Sequence, residues 1–366
     1  MTSEFIYAQP VKIFFGQGEF QKLGAVLDEL GVTRAVLCCG RHFASDASLL
    51  MAKEPRIVAV FGEVEQNPQL SGITETTRLC RVHAADGVIG IGGGSSLDTA
   101  KFAAAVAPNP GEPIDYYEGK RPLNARNRLP VVAVPTTAGT GSEVTQVSVV
   151  SHGTEKKTIN NPAFMPAAAI VDPLLSASVP PRTTMNTGLD AMAHALEGYW
   201  SRNHQPIPDL MAIEAVRLIL GNLERAYRDG GDLEARGNMA YAALLGGLSF
   251  ALPKTAASHA CSYPLSEDYH LPHGEACAFT LDSLVKINAD ERLEHLCHAV
   301  GLKDTDELAA RIRALKALGG LRSRLSDLGD VDLAKLCRDC AAHPLMKNNP
   351  VSLDEKALRE MFEALA

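Results

Sequence analysis

Three histidines and one aspartate in the second half of the chain have the residue types and the spacing of metal ligands. Asp190 and His194 are four residues apart in GLDAMAHALEGYW, and residues at that spacing share one face of a helix. His259 and His273 lie in SHACSYPLSEDYHLPHGEA, where two prolines between them predict a loop that lets the second histidine fold back. Imidazole and carboxylate groups together bind divalent first-row metals. The sequence therefore predicts a metal site that leaves a position open for a substrate oxygen.

A second candidate site is glycine-rich. In DGVIGIGGGSSLDTAK an apolar strand runs through residues 92–95 directly into a helix, a geometry that lets backbone N–H groups approach a phosphate. A tight strand-to-helix turn is the alternative interpretation. VVAVPTTAGTGSEVT places Thr136, Thr137 and Thr140 at the end of another strand, and ligands of parallel sheets gather at such ends. The spacing differs from GxGxxG, so we expect a different dinucleotide fold.

The elements that must position these residues change character along the chain. Up to about residue 177, short apolar runs such as RAVLCC, RIVAVF and LPVVAVPTT alternate with amphipathic stretches, which predicts a parallel sheet covered by helices. Beyond that point the segments carry helical periodicity. We therefore expect an α/β fold with an N-terminal dinucleotide-binding domain, residues 1–177, and an all-helical metal-binding domain, residues 178–366.

Composition narrows the class of protein. The 366 residues carry 35 basic and 43 acidic side chains, a net charge of -8, without a basic face for nucleic acid. No apolar run reaches the length of a membrane span, and the start does not have the pattern of a signal peptide. The eight cysteines indicate reduced thiols and a cytoplasmic protein. Cys337 and Cys340 form a CxxC, but DLAKLCRDCAAH is helical in character, so we expect both thiols to be packed.

Together, GGGSSLDTAK, PTTAGTGSEVT, the first ligand pair and the histidine followed by PHG resemble the iron-containing, group III alcohol dehydrogenases, which have a dehydroquinate synthase-like fold. The similarity extends from FFGQG near the start to NNP near the end. It implies hydride transfer between a nicotinamide and a primary alcohol or aldehyde, in a homodimer or larger homo-oligomer. It also implies Fe²⁺ as the usual metal, with Zn²⁺ fitting the same ligands: Asp190, His194, His259 and His273.

The resemblance also assigns cofactor contacts. The residues expected to border the pyrophosphate and nicotinamide are Gly93, Gly94, Ser95 and Asp98, with Thr136, Thr137 and Thr140 nearby. Lys156 matches the family's ribose-contacting lysine, and Lys157 is the alternative. NAD-preferring members often end the first strand of this domain with an aspartate, whereas this chain has Gly40 followed by Arg41. Glycine removes a charge that repels a 2′-phosphate and arginine can pair with one, so NADPH is weakly favoured and NADH stays open.

Two residues near the third ligand depart from the family pattern and are the candidate catalytic groups. Tyr263 stands where many members carry a second histidine, and it can relay a proton or simply pack beside the cofactor. Lys254 precedes His259 by five residues in LPKTAASHACSY, where a small residue is usual. A cation beside the metal suggests a substrate with an anionic tail. The alternative is a lysine that points to solvent.

The segments around Lys254 resemble the phosphonoacetaldehyde reductase branch, which reduces a short phosphonate aldehyde to 2-hydroxyethylphosphonate; NNP (Asn348, Asn349, Pro350) with Lys347 before it is also similar. Arg182 and His270 are further candidate contacts. The alternatives are a 4-hydroxybutyrate dehydrogenase (succinic semialdehyde reductase) or a general alcohol dehydrogenase. Maleylacetate reductases are disfavoured by the full ligand set. Competing classes are a dehydroquinate synthase-like lyase, whose basic phosphate-binding residues are not found, and a non-catalytic metal-binding protein.

Overall fold

The computed structural model of the chain describes residues 4–153 and 155–365, and contacts divide them into two compact units. The sheet unit contains residues 8–137 and 142–176, and the helical unit contains residues 4–7, 138–141 and 177–365. The division predicted between residues 177 and 178 stays a prediction, and its outermost residues, 1–3 and 366, lie outside the described part. Two short segments from the first half of the chain thus group with the helical unit.

The sheet unit is built on a parallel sheet, as the apolar runs predict. Its six strands have the spatial order β1-β8-β5-β4-β2-β3, and each neighbouring pair in the described chain is parallel. Two further strands, β6 and β7, form an antiparallel pair. The sequence did not predict β1, β6 or β7. The bounds are Lys12–Phe15 (β1), Ala35–Gly40 (β2), Ile57–Val64 (β3), Gly87–Gly92 (β4), Val131–Pro135 (β5), Val147–His152 (β6), Glu155–Asn160 (β7) and Ala168–Val171 (β8).

Helices cover both faces of this sheet, which explains why its central strands are apolar throughout. The helices are Leu23–Glu29 (α1), Arg41–Lys53 (α2), Leu70–Val82 (α3), Gly94–Val106 (α4) and Pro113–Tyr117 (α5), with 3₁₀ turns at Glu19–Lys22, Ser142–Val144, Pro162–Phe164 and Pro173–Ser176. Leu37 and Cys39 of β2 pack in one cluster with α1, whereas Val36 and Cys38 pack in another with α3 and α4. Alternate residues of β2 therefore pack into the two cores on opposite faces of the sheet.

The strand order reverses between β2 and β4. From β2 the chain continues to β3 on one side, and from β4 it continues to β5 on the other. Cys39 pairs with Ile91, so the last residues of the two strands, Gly40 and Gly92, reach the same edge. In open parallel sheets a ligand binds outside the carboxyl ends of the strands at this reversal. The fold therefore places the predicted glycine-rich turn where a dinucleotide is expected.

The helical unit has one large apolar core, to which each of its long helices contributes. Its helices are Pro181–Trp200 (α6), Pro206–Arg228 (α7), Leu233–Phe250 (α8), Ala257–Tyr269 (α9), His273–Ile287 (α10), Glu291–Ala299 (α11), Thr305–Leu318 (α12), Leu333–Ala342 (α13) and Glu355–Glu363 (α14), with 3₁₀ turns at Leu325–Leu328 and Pro344–Asn348. Among the described helices, none combines the length and apolar character needed to cross a membrane. Cys337 and Cys340 are buried on α13, as expected.

One local expectation is wrong. The prolines between the second ligand pair predicted a broken loop, but Pro264 lies inside α9, which continues to Tyr269. A proline inside a helix removes one backbone hydrogen bond. Here the buried neighbours on either side, Cys261 and Leu265, anchor the same helix in the core, and this packing maintains it. The actual connection is short, because α10 begins at His273 directly after Pro272.

Candidate functional site

Helix α6 presents three buried polar side chains on one face. Asp190, His194 and Glu197 follow one another at intervals of four and three residues, and their exposed fractions are 2%, 5% and 0%. Such spacing keeps side chains on one face of a helix. Buried charged groups are stable when they are paired or bind a metal. A metal site is therefore expected on this face of α6.

The four predicted metal ligands come together. Nε2 of His259 lies 3.0 Å from Nε2 of His194 and 3.7 Å from Oδ1 of Asp190. Nε2 of His273 also lies 3.7 Å from that carboxylate oxygen. The side chain of His273 is 35% exposed, whereas that of Asp190 is only 3% exposed. The cluster is therefore buried on the side of α6 and more open at His273.

Hydrogen-bond partners assign the proton on two of the imidazoles. Nδ1 of His194 lies 3.2 Å from the backbone oxygen of Gly139, to which it donates. Nδ1 of His259 donates to the carboxylate of Glu197, which also accepts from the backbone N–H groups of Ser258, at 2.6 Å, and of His259, at 3.3 Å. Neutral imidazoles in these tautomers direct their Nε2 lone pairs towards each other. Such an arrangement requires a proton or a cation between the rings.

The electrostatics favour an ionised Asp190 beside a neutral His194, whereas His259 retains a proton. Burial opposes ionisation of Asp190, but the three neighbouring histidines outweigh it and hold its pKa below the usual range. Burial lowers the pKa of His194 to about 4, so its Nε2 is free of a proton at neutral pH. For His259, burial is outweighed by Cys277 and Glu197, which raise its pKa. A bound metal must therefore displace a proton from His259.

The donor set fits a divalent first-row metal. Oδ1 of Asp190 is buried and has no hydrogen-bond partner among the described residues, an arrangement that is unfavourable without a cation. One donor atom from each of Asp190, His259, His273 and Cys277 lies within 4.8 Å of the others. His194 is outside that set but faces it through His259. Imidazole and carboxylate suit both iron and zinc.

Lys254, the predicted contact for an anion, is connected to the ligand cluster through Phe250. Its backbone N–H donates to the oxygen of Phe250 at 2.7 Å, and the Phe250 ring stacks on that of His194 with centroids 4.2 Å apart. The Lys254 side chain is exposed and pairs with no other described residue. Its φ of 67° is left-handed, a conformation that a residue other than glycine adopts at a cost in energy.

The NNP segment contacts the residue after Lys254. Nδ2 of Asn348 donates to the backbone oxygen of Thr255 at 2.8 Å, while Asn349 is buried and exchanges hydrogen bonds with Asn288. Lys347 is exposed. Two segments that the sequence singled out, nearly a hundred residues apart, are thus joined beside the lysine.

Two of the other candidate residues, Tyr263 and Arg182, have side-chain partners, and the third, His270, is exposed. Tyr263 stacks on His343 with ring centroids 4.4 Å apart, and its relay and packing roles both stay predictions. Arg182 pairs at 3.2 Å with Glu275, a fully buried carboxylate. His270 is exposed and ends α9 in the left-handed conformation, with φ of 55°.

In the sheet unit, most predicted cofactor residues reach one edge. Gly92 pairs with Pro135, and its backbone oxygen accepts from Thr136 at 2.9 Å. Its φ of 146° and the proximity of Ser96 require glycine, because a Cβ would lie 2.4 Å from Ser96 Oγ. Gly93 is the N-cap of α4 and faces Thr137, so the helix presents Gly94 and Ser95 in its first turn. Unpaired N–H groups and a positive dipole end make such a turn suited to pyrophosphate.

Gly40 and Arg41 lie at the same edge, where α2 begins. Arg41 lines a cavity of about 530 Å³ together with Glu63 and Glu75. Two carboxylates therefore share the surroundings of the arginine that was predicted to take a 2′-phosphate. The preference for NADPH stays a prediction.

Two predicted cofactor residues have side-chain partners within the sheet unit, and a third groups with the helical unit. Asp98 is buried, accepts hydrogen bonds from Ser142 Oγ at 2.6 Å and from Val149 N at 2.9 Å, and pairs with Lys101. Its carboxylate thus connects α4 with the turn at Ser142–Val144 and with β6. Thr140 belongs to residues 138–141, which group with the helical unit. Lys156 lies on β7, where its Nζ donates to Oδ1 of Asn67 at 3.1 Å. Their roles towards a cofactor remain predictions.

Sequence reasoning missed two residues that contact the predicted ligands, Glu197 and Cys277, although a signal for each was present. Glu197 continues the helical spacing of Asp190 and His194 by one more turn. Cys277 follows His273 by four residues, the same interval as the first ligand pair. Extending each helical stripe beyond its first pair identifies both.

Comparison with known proteins gives matches over nearly the whole chain. The model of the family "Iron-containing alcohol dehydrogenase" matches residues 10–173, and that of the "Fe-containing alcohol dehydrogenase family, C-terminal" matches residues 184–366. The structure of sulfoacetaldehyde reductase from Bifidobacterium kashiwanohense in complex with NAD⁺ is similar, with a TM-score of 0.95 and 37% identity over 100% of this chain and 99% of that one. Choline dehydrogenase of Bacillus subtilis (strain 168) is 33% identical over 97% of this chain and 93% of its own. Long-chain-alcohol dehydrogenase 1 of Geobacillus thermodenitrificans (strain NG80-2) is 36% identical over 86% of this chain and 83% of its own.

Proposed function

The chain belongs to the iron-containing alcohol dehydrogenase family, and within it we propose a reductase that converts a short aldehyde with an anionic end to its primary alcohol. It is an oxidoreductase that depends on NAD(P) and a metal. The finer proposal is phosphonoacetaldehyde as substrate and 2-hydroxyethylphosphonate as product. Three groups of residues share the proposed reaction: the predicted ligands hold the metal, the residues at the edge of the sheet hold the cofactor, and Lys254 binds the anionic end of the substrate.

The residues that would hold the metal are Asp190, His194, His259 and His273. When bound, the cation supplies Lewis acidity to the carbonyl oxygen, and the nicotinamide supplies the hydride. Glu197 holds His259 in the tautomer whose Nε2 faces the cluster, and Gly139 does the same for His194. Exposure of His273 supports the entry of a substrate oxygen on that side.

The observation that carries the substrate class is the state of Lys254. It is an exposed cation without an ion pair to a described residue, held in a left-handed conformation next to Phe250, whose ring stacks on a predicted ligand. Strain kept near a site is a reason to suspect a function for the residue that bears it. An ammonium group binds phosphonate, sulfonate or carboxylate oxygens through charge-assisted hydrogen bonds.

Two specific substrates are compatible with this chemistry. Phosphonoacetaldehyde is favoured by the KT-A-SHA-SYPL pattern, and the contact between Asn348 and Thr255 joins both parts of that pattern. Sulfoacetaldehyde is favoured by the similarity to the reductase named for it. Both have a two-carbon aldehyde with a tetrahedral anionic end, so the same lysine serves either.

The test compares kcat/KM for phosphonoacetaldehyde, sulfoacetaldehyde, succinic semialdehyde and neutral propionaldehyde. Lys254→Gly removes the charge while glycine accepts the left-handed backbone, and Lys254→Arg keeps the charge. We expect the glycine variant to lose about 10- to 100-fold on the anionic aldehydes, the worth of one charged hydrogen bond, with propionaldehyde unchanged. Lys356→Ala, which removes an exposed lysine of α14, is the control.

Equal loss on the neutral aldehyde would assign Lys254 a structural role and overturn the proposal. Preference for a cationic alcohol such as choline would also contradict it, and would align the chain with the choline dehydrogenase it resembles. A lyase of the dehydroquinate synthase type regenerates its cofactor within each turnover. Stoichiometric oxidation of NADH or NADPH therefore separates a reductase from that class.

A further inference from the structure

A cysteine without an assigned role lies inside the ligand cluster. Cys277 is fully buried on α10, four residues after His273 and therefore on the same face of the helix. Its Sγ lies 3.8 Å from Nε2 of His273. All eight cysteines of the chain are free thiols, yet Cys277 is the one that joins a group of metal donors among the described residues.

The distances agree with binding to one ion. A nitrogen at about 2.0 Å and a sulfur at about 2.3 Å from a tetrahedral zinc lie roughly 3.5 Å apart. The observed separations are 3.8 Å between Cys277 and His273, and 3.7 Å between Asp190 and either His259 or His273. Small movements of side chains would bring these donors to a common ion.

The backbone also fixes the thiol in this place. The backbone oxygen of Cys277 accepts a hydrogen bond from Ser258 Oγ at 2.8 Å, and Ser258 directly precedes His259 on α9. The start of α9 and the first turns of α10 are thereby joined at the cluster. Gly274 allows α10 to approach α6, because a Cβ there would lie 2.0 Å from the backbone oxygen of Asn186. The thiol is positioned by two helix contacts and not by a mobile loop.

We propose that Cys277 is a metal ligand in this chain, so that its thiolate sulfur joins the carboxylate and imidazole donors. The S–H proton is released to solvent as the metal–sulfur bond forms. A soft thiolate favours zinc over iron and closes part of the coordination sphere. A substrate oxygen would then bind either as an additional donor or in exchange for the thiolate. The inference depends on the metal site of the proposed function.

The direct test is X-ray absorption at the metal edge of the zinc-loaded protein without substrate. We expect one sulfur at about 2.3 Å in the wild-type first shell, lost in Cys277→Ser. Cys261→Ser is the matched control, because Cys261 is equally buried and lies on α9 two residues after His259. It should retain the sulfur shell. In competition experiments, Cys277→Ser should lower the preference for Zn²⁺ over Fe²⁺ on the order of tenfold.

The outcomes separate this inference from the wider proposal. A wild-type first shell of nitrogen and oxygen alone overturns the ligand role of Cys277, and this measurement needs no variant. Persistence of the sulfur shell in Cys277→Ser also overturns it. If the wild-type protein binds no stoichiometric metal, the metal site itself fails. Aldehyde reduction with metal bound but no sulfur shell leaves the proposed function intact.

Discussion

Glu197 accepts a hydrogen bond from Nδ1 of His259, which leaves Nε2 of that ring to face Asp190 and His194. The carboxylate also accepts from two backbone N–H groups at the start of α9, so it is fixed before any metal binds. An outer carboxylate of this kind orients a metal-binding imidazole and increases its basicity. Helix α6 therefore contributes two of the four predicted ligands, Asp190 and His194, together with the carboxylate that positions a third, His259.

Replacing Glu197 should weaken metal binding without removing any ligand. We expect about a tenfold loss of Zn²⁺ affinity in Glu197→Gln, which keeps an acceptor, and about a hundredfold loss in Glu197→Ala. Competition with a chromophoric chelator measures both. Glu214→Gln, on the exposed side of α7, is the control and should bind zinc as the wild type does. Unchanged affinity in both Glu197 variants would mean that the carboxylate only stabilises the helix packing.

Gly274 should be required for the ligand geometry. An added Cβ would lie 2.0 Å from the backbone oxygen of Asn186, so Gly274→Ala must displace α10 and with it His273. We expect lost metal stoichiometry and a destabilisation of about 1–3 kcal/mol. Gly221→Ala, on α7 with no atom near the new Cβ, should stabilise the protein by up to about 1 kcal/mol. Denaturant unfolding and metal analysis compare the two, and full metal content in Gly274→Ala would contradict the expectation.

Lys254→Gly should make the protein more stable while it loses activity on anionic aldehydes. The left-handed backbone favours glycine, so we expect the free energy of unfolding to rise by about 0.5–1 kcal/mol. Lys254→Ala removes the same charge but keeps the strain, and its stability should stay near that of the wild type. Equal stability of the glycine and alanine variants would show that the φ of 67° carries no strain.

Glu143 should make stability depend on pH. Burial raises its pKa to about 7, although a backbone hydrogen bond and Lys101 oppose the shift. The unfolded chain then ionises at lower pH than the folded one, so the free energy of unfolding falls as pH rises from about 4.5 to 7, by up to ~3 kcal/mol. Glu143→Gln should remove this slope, which unfolding at pH 5 and pH 8 measures. Glu360→Gln, at an exposed position of α14, is the control and should retain the pH dependence. A wild type that is equally stable at both pH values would contradict the prediction.

Arg41 should decide the choice between NADPH and NADH. If it pairs with the 2′-phosphate, Arg41→Ala lowers kcat/KM with NADPH by about tenfold or more and leaves NADH unchanged. Lys53→Ala, at the far end of the same helix, is the control. Glu63 and Glu75 in the same cavity oppose the phosphate. A wild type that prefers NADH, with equal effects of Arg41→Ala on both cofactors, would show that the carboxylates dominate.

The sequence predicted the parallel sheet and the helical second half from local patterns, and the set of four ligands from residue spacing together with the family resemblance. Apolar runs ended by glycine or proline identify β2, β4 and β5, and helical spacing identifies the face of α6. The hairpin of β6 and β7 was missed, since its strands are mixed in polarity and only partly buried. Pro264 was misread as a break because helix packing, which the sequence does not display, maintains α9. Cys277 was missed although it follows His273 at helical spacing, because the stripe on α10 was not extended beyond its first member.

The backbone oxygen that orients His194 belongs to Gly139. Gly139 lies in the short segment 138–141, which groups with the helical unit although the residues before and after it in the chain belong to the sheet unit. A fragment that begins after residue 177 would contain every predicted ligand and still leave Nδ1 of His194 without its acceptor. The ligand cluster is therefore not a transferable module. The C-terminal family region alone, residues 184–366, would separate this imidazole from the residue that sets its tautomer.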